Sequence, residues 1–260
     1  MINIEKAKEE FNKYTNAYDI SNERVRVKIN HTYGVLTISE FIAKSLKLSE
    51  EDIKLATLIG LLHDIGRFEQ ARLFDNFEDY QNIDHAQLGV DILFDKNLIR
   101  RFIEENKYDS IIYKAILNHN KYNIEEGLSE KELLHSKIIR DADKTDNLRV
   151  KQFQNLVTLC GEKEENVGKY KITPKIFNDF MQHKTIISSE RVTPMDKWVS
   201  YIAFIFDYNF IPSLEYIKEK DYINILVNRI KYIDYDTISK MEDIKTCALQ
   251  YIDEKIKNDK

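Results

Sequence analysis

An all-α fold is predicted by three features of the chain. Apolar residues recur at three- and four-residue spacing along most of its 260 residues. Glycine and proline are scarce, at 7 and 3, leaving little room for the tight turns of a sandwich or barrel. Helix-start signals, Ser or Asp before an acidic turn and Pro at a first position, punctuate the pattern.

The elements follow in order. Ile4, Ala7, Phe11 and Tyr14 form one apolar stripe over 3–14, and Val27, His31, Val35, Ile38, Ile42 and Leu46 form another over 23–46. Ser49-Glu-Glu-Asp52 caps a helix through Leu55, Leu58, Ile59 and Leu62 that is apolar nearly all round and so central to the core. Gly66 is read as its stop, since glycine takes the left-handed conformation freely. The polar, aromatic stretch 67–82 reads as a loop with at most one short helix. Asp84 caps a helix over 85–95, and further helices are expected over 97–105, 107–119 and 130–150, the last opened by the box Ser129-Glu-Lys-Glu132. The mixed stretch 155–173, with Gly161 and Gly168, is the weakest-structured part, a boundary or a lid. Pro174, Pro194 and Pro212 each open a helix, with the remainder over 174–184, 195–208, 212–219, 221–232 and 235–257. The total is a bundle of roughly ten helices without internal repeats.

Lys plus Arg is 39 against Asp plus Glu 44, a formal net charge of −5. A dedicated nucleic-acid binder shows a basic excess, so no stable nucleic-acid complex is expected. Gly-x-Gly-x-x-Gly and Gly-x-x-x-x-Gly-Lys are absent, and with them the common phosphate-cradling loops. Cys160 and Cys247 form no C-x-x-C site or disulfide scaffold. The apolar runs Leu55–Leu62 and Trp198–Phe206 are far short of the ~20 residues of a membrane span, and the first residues show no secretory pattern. A cytoplasmic protein that does not engage membranes is expected.

The chemistry is concentrated in histidine. Of six histidines, His31 lies in an apolar stripe, His63 ends the most buried helix beside Asp64, His85 opens a helix and His119 closes one. Asp141 sits in the inward-reading run Ile138-Ile139-Arg140-Asp141-Ala142. A buried carboxylate is costly unless paired with a cation. Imidazole with carboxylate suits Fe, Mn, Zn or Ni, and four imidazoles with two carboxylates exceed the needs of one tetrahedral zinc. His135, about 120° round the helix from Asp141, and His183 read as structural.

At His63-Asp64-Ile65-Gly66 the chain resembles the HD-domain superfamily of metal-dependent phosphohydrolases. The ordered signature reads His31, His63-Asp64, His85, His119, Asp141, with the doublet in HDIGR and the last aspartate in RDADKTDN. The likeness covers about residues 20–150. A bacterial subgroup sharing HDIGRFEQ and a later IDHA is similar in more detail, but names no substrate. The resemblance implies a first metal held by His31, His63, Asp64 and Asp141, and a second by Asp64, His85 and His119, with Asp64 bridging. The cofactor it implies is one or two divalent transition metals, Mn or Fe foremost, with Ni, Co, Zn or Mg as alternatives. Departures are Asn118-His119-Asn120, where some relatives carry paired histidines, and Arg67, where many carry lysine. There is no GYP motif, and no paired acidic motif of the alarmone-hydrolase kind.

The activity implied is hydrolysis of a phosphate ester of a small molecule, such as a nucleotide, by a metal-activated water. Asp64, Arg67 and Lys144 are the catalytic candidates, and Arg67, Arg72 and Lys144 the substrate-binding ones. Glu69 and Asp79 are candidate supports, Asp79 by orienting a histidine or capping a helix, and Lys28, one turn before His31, could neutralise substrate charge but reads first as a solvated helix charge. Two alternatives stay open: a mixed-valence di-iron oxygenase of the same fold, and a non-catalytic metal- or nucleotide-binding module. The organisation expected is a metal-binding helical domain over 1–155 and a helical extension over 156–260 that packs on it rather than folding alone. Six aromatic residues between Trp198 and Phe210 read as core packing before base stacking, and a homodimer is open.

Overall fold

The computed structural model describes residues 2–74, 77, 79 and 83–259, all helix and connection, with no strand among them. The chain divides into two compact units, Met1–Asp146 and Asn147–Lys260. No helix among the described residues is long and apolar enough to cross a membrane.

The first unit begins with α1 (Ile4–Thr15), α2 (Glu23–Ser45) and α3 (Glu50–Leu62). Their starts are fixed by side-chain caps on backbone N–H groups that have no intrahelical acceptor: Asn3 on Lys6, Asn22 on Arg24 and Ser49 on Asp52. The stripe of α1 buries Ala7 and Phe11, and that of α2 buries His31, Val35, Ile38 and Ile42. Every residue of α3 from Leu55 to Leu62 is buried, as its all-round apolar sequence requires. The helix packs on α2, α1 and α7. Gly60 permits the closest of these approaches, since a Cβ there would lie 2.8 Å from Ser39 Oγ and 3.0 Å from Leu36 Cα.

One expectation fails just after α3. Gly66 is not a stop: its φ is not positive, and it lies in the first turn of α4 (Ile65–Phe74), the one short helix allowed for in the stretch 67–82. Residues 75, 76, 78 and 80–82 of that stretch lie outside the described residues. Glycine is required at 66 for a different reason. A Cβ would lie 2.3 Å from the His85 carbonyl oxygen and 2.7 Å from Gly89 N, so α4 meets α5 (His85–Val90) backbone to backbone. The helix is weakly periodic because both its polar and apolar sides are used: Phe68 and Ala71 are buried, and so is Gln70. Next come a π-helical turn at Asp91–Asp95, α6 (Ile99–Phe102), α7 (Asp109–Asn118) and α8 (Glu130–Val150).

The second unit contains α9 (Leu156–Cys160), α10 (Glu164–Val167), α11 (Pro174–Met181), α12 (Pro194–Ile202), α13 (Ile211–Glu219), α14 (Tyr222–Arg229) and α15 (Tyr235–Asn258), with 3-10 turns at Ser188–Glu190 and Ala203–Asp207. Proline occupies the first turn of α11, α12 and α13, where its missing N–H costs nothing. Thr193 and Asp196 close a reciprocal capping box on α12. The stretch 155–173 is better ordered than its composition suggests, because Leu156, Leu159, Val167 and Ile172 all enter the core. Trp198, Ile202, Ile205 and Met241 belong to the same apolar cluster, against which Tyr201, Phe206 and Tyr208 pack. This is the packing role expected of the aromatic run.

Candidate metal centre

Three of the histidines sit at helix ends, and for two of them the backbone supplies the first partner. His63 follows α3, and its Nδ1 lies 2.8 Å from the Gly60 carbonyl. His119 follows α7, with Nδ1 2.6 Å from the Ile116 carbonyl. In both cases the ring N–H donates to a last-turn carbonyl three residues earlier, and the Ile116 carbonyl also accepts the His119 backbone N–H at 3.4 Å. His85 is the first residue of α5, behind its cap Asp84, and its Nδ1 lies 2.6 Å from Asp79 Oδ2. His31, mid-helix in α2, points Nδ1 at Asp146 Oδ2, 2.7 Å away. All four Nδ1 atoms thus face an acceptor. In its neutral form each ring so placed carries the proton on Nδ1 and turns an Nε2 lone pair inward, while His31, flanked by Asp143 and Asp146, donates to both carboxylates when protonated.

The inward atoms meet at Asp64, which is 2% exposed. Its Oδ2 lies 3.7 Å from His31 Nε2 and 3.5 Å from His63 Nε2. Its Oδ1 lies 3.3 Å from His85 Nε2 and 3.7 Å from His119 Nε2. One carboxylate therefore serves two groups, His31–His63–Asp64 and Asp64–His85–His119, either of which could hold a metal ion.

The donor set fits a divalent metal on three observations. His85 Nε2 and His119 Nε2 approach to 2.9 Å with a lone pair on each and no proton to share. His63 Nε2 is buried with no hydrogen-bond partner. His31 Nε2 lies 2.9 Å from a carboxylate oxygen of Asp143. A cation among these atoms turns each conflict into a bond, and imidazole with carboxylate is the ligand chemistry of transition metals.

The aspartate that α8 brings to His31 and His63 is Asp143, whose Oδ1 is 3.7 Å from His63 Nε2. The resemblance implies Asp141 at this place. Two residues turn a helix by about 200°, so the two carboxylates leave α8 on different sides. Asp141 is fully buried, and its backbone carbonyl accepts the Thr145 hydroxyl at 2.7 Å. The apolar pattern could not discriminate, because residues 138–142, 145 and 146 are all buried. The signal available was the i, i+3 pair Asp143 and Asp146, which puts two carboxylates on one face.

Charge is arranged closely around the cluster. Burial alone would raise the Asp64 carboxyl, but the Lys28 ammonium, 2.5 Å from Oδ2, and the neighbouring imidazoles hold it well below the usual carboxylate range. Lys28 is thus not a solvated helix charge. Its side chain is 15% exposed and also lies 5.4 Å from the Phe77 ring centroid. Burial would likewise raise Asp143, and the hydrogen bond from His31 outweighs it. His63 is lowered by burial, and His85 is lowered to about 3 by burial and then by Arg67. Burial and Lys28 act to lower His31, yet the carboxylates of Asp143 and Asp146 win and raise it.

Arg67 stands beside the cluster with Nε 3.6 Å from Asp64 Oδ1. Its Nη1 donates to Asp79 Oδ1, Gln70 Oε1 and the Phe77 carbonyl. Gln70 donates to the same Asp79 oxygen at 2.9 Å, so Arg67 and Gln70 together aim the carboxylate that orients His85. Arg72 lies apart, 57% exposed and forked onto Glu69, which Tyr18 also reaches. Lys144 is half-buried on α8, next to Asp143. His135 is buried 3.4 Å from Asp52, outside the cluster, and His183, in the second unit, packs on Phe206 and Tyr251.

Fold and cluster together define a class: a helical domain whose buried imidazoles and carboxylates are set to hold divalent metal. Residues 29–148 match the family model described as HD domain, which places an HD domain over that part of the chain. HD domains bind divalent metals and are in general metal-dependent hydrolases. No match was found among curated proteins or among solved structures.

Proposed function

We propose that the protein is a metal-dependent phosphohydrolase acting on the phosphate ester of a small molecule. The observation that carries this reading is the convergence of four imidazole lone pairs on Asp64, with two cations, Lys28 and Arg67, beside the same carboxylate. His31, His63, Asp64 and Asp143 would hold one metal, and Asp64, His85 and His119 a second. When bound, a divalent metal supplies Lewis acidity toward a phosphoryl oxygen and acidifies water. The protein's own part is positional. Asp146 and Asp79 fix the tautomers of His31 and His85, and the last-turn carbonyls fix those of His63 and His119. Arg67 and Lys28 place positive charge where phosphoryl oxygens gain negative charge. Arg67 can spend only part of its fork on substrate, since Nη1 is already committed to Asp79. Lys144, next to Asp143, is a further candidate for the phosphate.

The test is phosphate release from a panel of nucleotides and sugar phosphates with Mn²⁺, using Asp64→Ala as control. Release by the wild type alone supports the reading. No release from a metal-loaded wild type, or equal release from the variant, overturns it.

A further inference from the structure

A second concentration of charge lies in the other unit. Lys197, Lys151, Arg229 and Arg191 all stand close enough to Cys160 for their charge to act on its thiol. Burial pushes that thiol up to about 11 even against four positive charges. The four side chains converge on a small area. Lys151 Nζ lies 4.3 Å from the Tyr201 ring centroid, and the Tyr201 hydroxyl donates to the Leu159 carbonyl. Lys197 Nζ lies 3.7 Å from where a Cβ on Gly161 would be. Arg229 sits 5.5 Å from the Trp198 ring centroid and donates to the carbonyls of Lys151 and Gln154. Arg191 donates to Ser200 Oγ at 3.3 Å.

The helix ends nearby account for part of this charge. Arg229 satisfies carbonyls just beyond α8, and Lys197 lies near the C-terminus of α9. A helix end, however, offers only about half a negative charge. Arg191, Lys197 and Arg229 form no ion pair with a carboxylate among the described residues, in a chain of net charge −5. Glu164 reaches Arg229 only through its field, and burial still lowers the arginine. Partly buried like charges repel one another unless an anion lies between them.

We propose that Arg191, Lys197 and Arg229, with Lys151 beside Tyr201, form a binding site for a phosphate-class oxyanion in the second unit, separate from the metal centre. Arg229 already donates to the Lys151 and Gln154 carbonyls, Arg191 to Ser188 and Ser200, and Lys151 to Asn147, so the site offers the anion the Lys197 ammonium and the N–H groups these bonds leave over, with the positive field of all four. The ligand class is a phosphorylated small molecule or inorganic phosphate itself.

Trp198 is the only tryptophan, so its fluorescence reports on this site. The experiment titrates inorganic phosphate into the full chain as purified, with ionic strength held by sodium chloride. A saturable change is expected in the wild type. Lys197→Gln and Arg191→Gln, checked for helical content, should each weaken it by roughly tenfold, the loss expected for one charge-assisted hydrogen bond. Lack of saturation in the wild type, or the same midpoint in both folded variants, overturns the site and leaves these cations as helix-end neutralisers only.

Discussion

The two units bury different kinds of matter. Within Met1–Asp146 the interior contains His31, His63, Asp64, His85, His119, His135, Arg140, Asp141 and Asp146 alongside its aliphatic residues. Within Asn147–Lys260 the interior is an unbroken apolar cluster from Leu148 to Ile252, and its buried charged side chains are Lys151 and Asp196. Burying a charge is costly unless it is paired or metal-bound, and burying a Trp or Ile stabilises outright. The second unit is therefore held by packing, whereas the first gives up packing for a cluster whose worth lies in what it binds. Substitutions should separate the two.

The largest effect is expected at the shared carboxylate. Asp64→Asn removes the negative charge both histidine pairs face and should abolish metal-dependent turnover while leaving helical content intact. Metal-dependent activity in that variant would break the contrast. In the second unit the largest effect is on stability. Trp198→Ala empties a site 1% exposed and should cost about 3–5 kcal/mol, read from a denaturant midpoint, without changing metal content.

Asp146→Asn is smaller and more pointed. It keeps the shape but weakens the acceptor that orients His31, so metal affinity should fall about 10- to 100-fold with the fold unchanged. An unaltered affinity by calorimetry would make Asp146 merely structural.

Acid should act on the first unit. His63, His85 and His135 are held below the ordinary histidine value, with burial the leading cause in each. Unfolded histidines titrate near 6.5, so below that pH the unfolded chain binds more protons and stability falls. His31, raised, acts in the opposite sense, its contribution being lost as pH rises through its folded value. Metal-free protein should lose up to about 1.4 kcal/mol per pH unit for each neutral buried histidine as pH falls from about 6 to 4. The second unit's one histidine, His183, is exposed, so a segment-resolved exchange measurement should find the acid response in the first unit. The smallest effect is expected for Arg72→Ala. An exposed pair with Glu69 contributes little, so kcat/KM should stay within about twofold.

Much of this was legible in the sequence, and the exceptions have physical causes. Helices with a one-sided stripe or a cap were readable: α1, α2, α3 and the three opened by proline. Helix α4 was readable only as one short helix without bounds, because Gln70 is as buried as Phe68 and polarity no longer marks the outside. Gly66 was misread because glycine serves close helix contact as well as termination, and only the neighbour, here the His85 carbonyl, tells which. Histidines that end or begin a helix were found, since helix ends are visible in sequence. Asp143 was missed because residues 138–142, 145 and 146 are all buried, so periodicity selects no single face there. Lys28 was missed because its partner, Asp64, lies 36 residues along the chain.

The most direct test of the account counts divalent metal per chain by elemental analysis after dialysis against Mn²⁺, for the wild type, Asp143→Asn and Asp141→Asn. The account predicts bound metal in the wild type, a clear loss in Asp143→Asn and full occupancy in folded Asp141→Asn. A wild type without metal, or loss in Asp141→Asn with retention in Asp143→Asn, would contradict it.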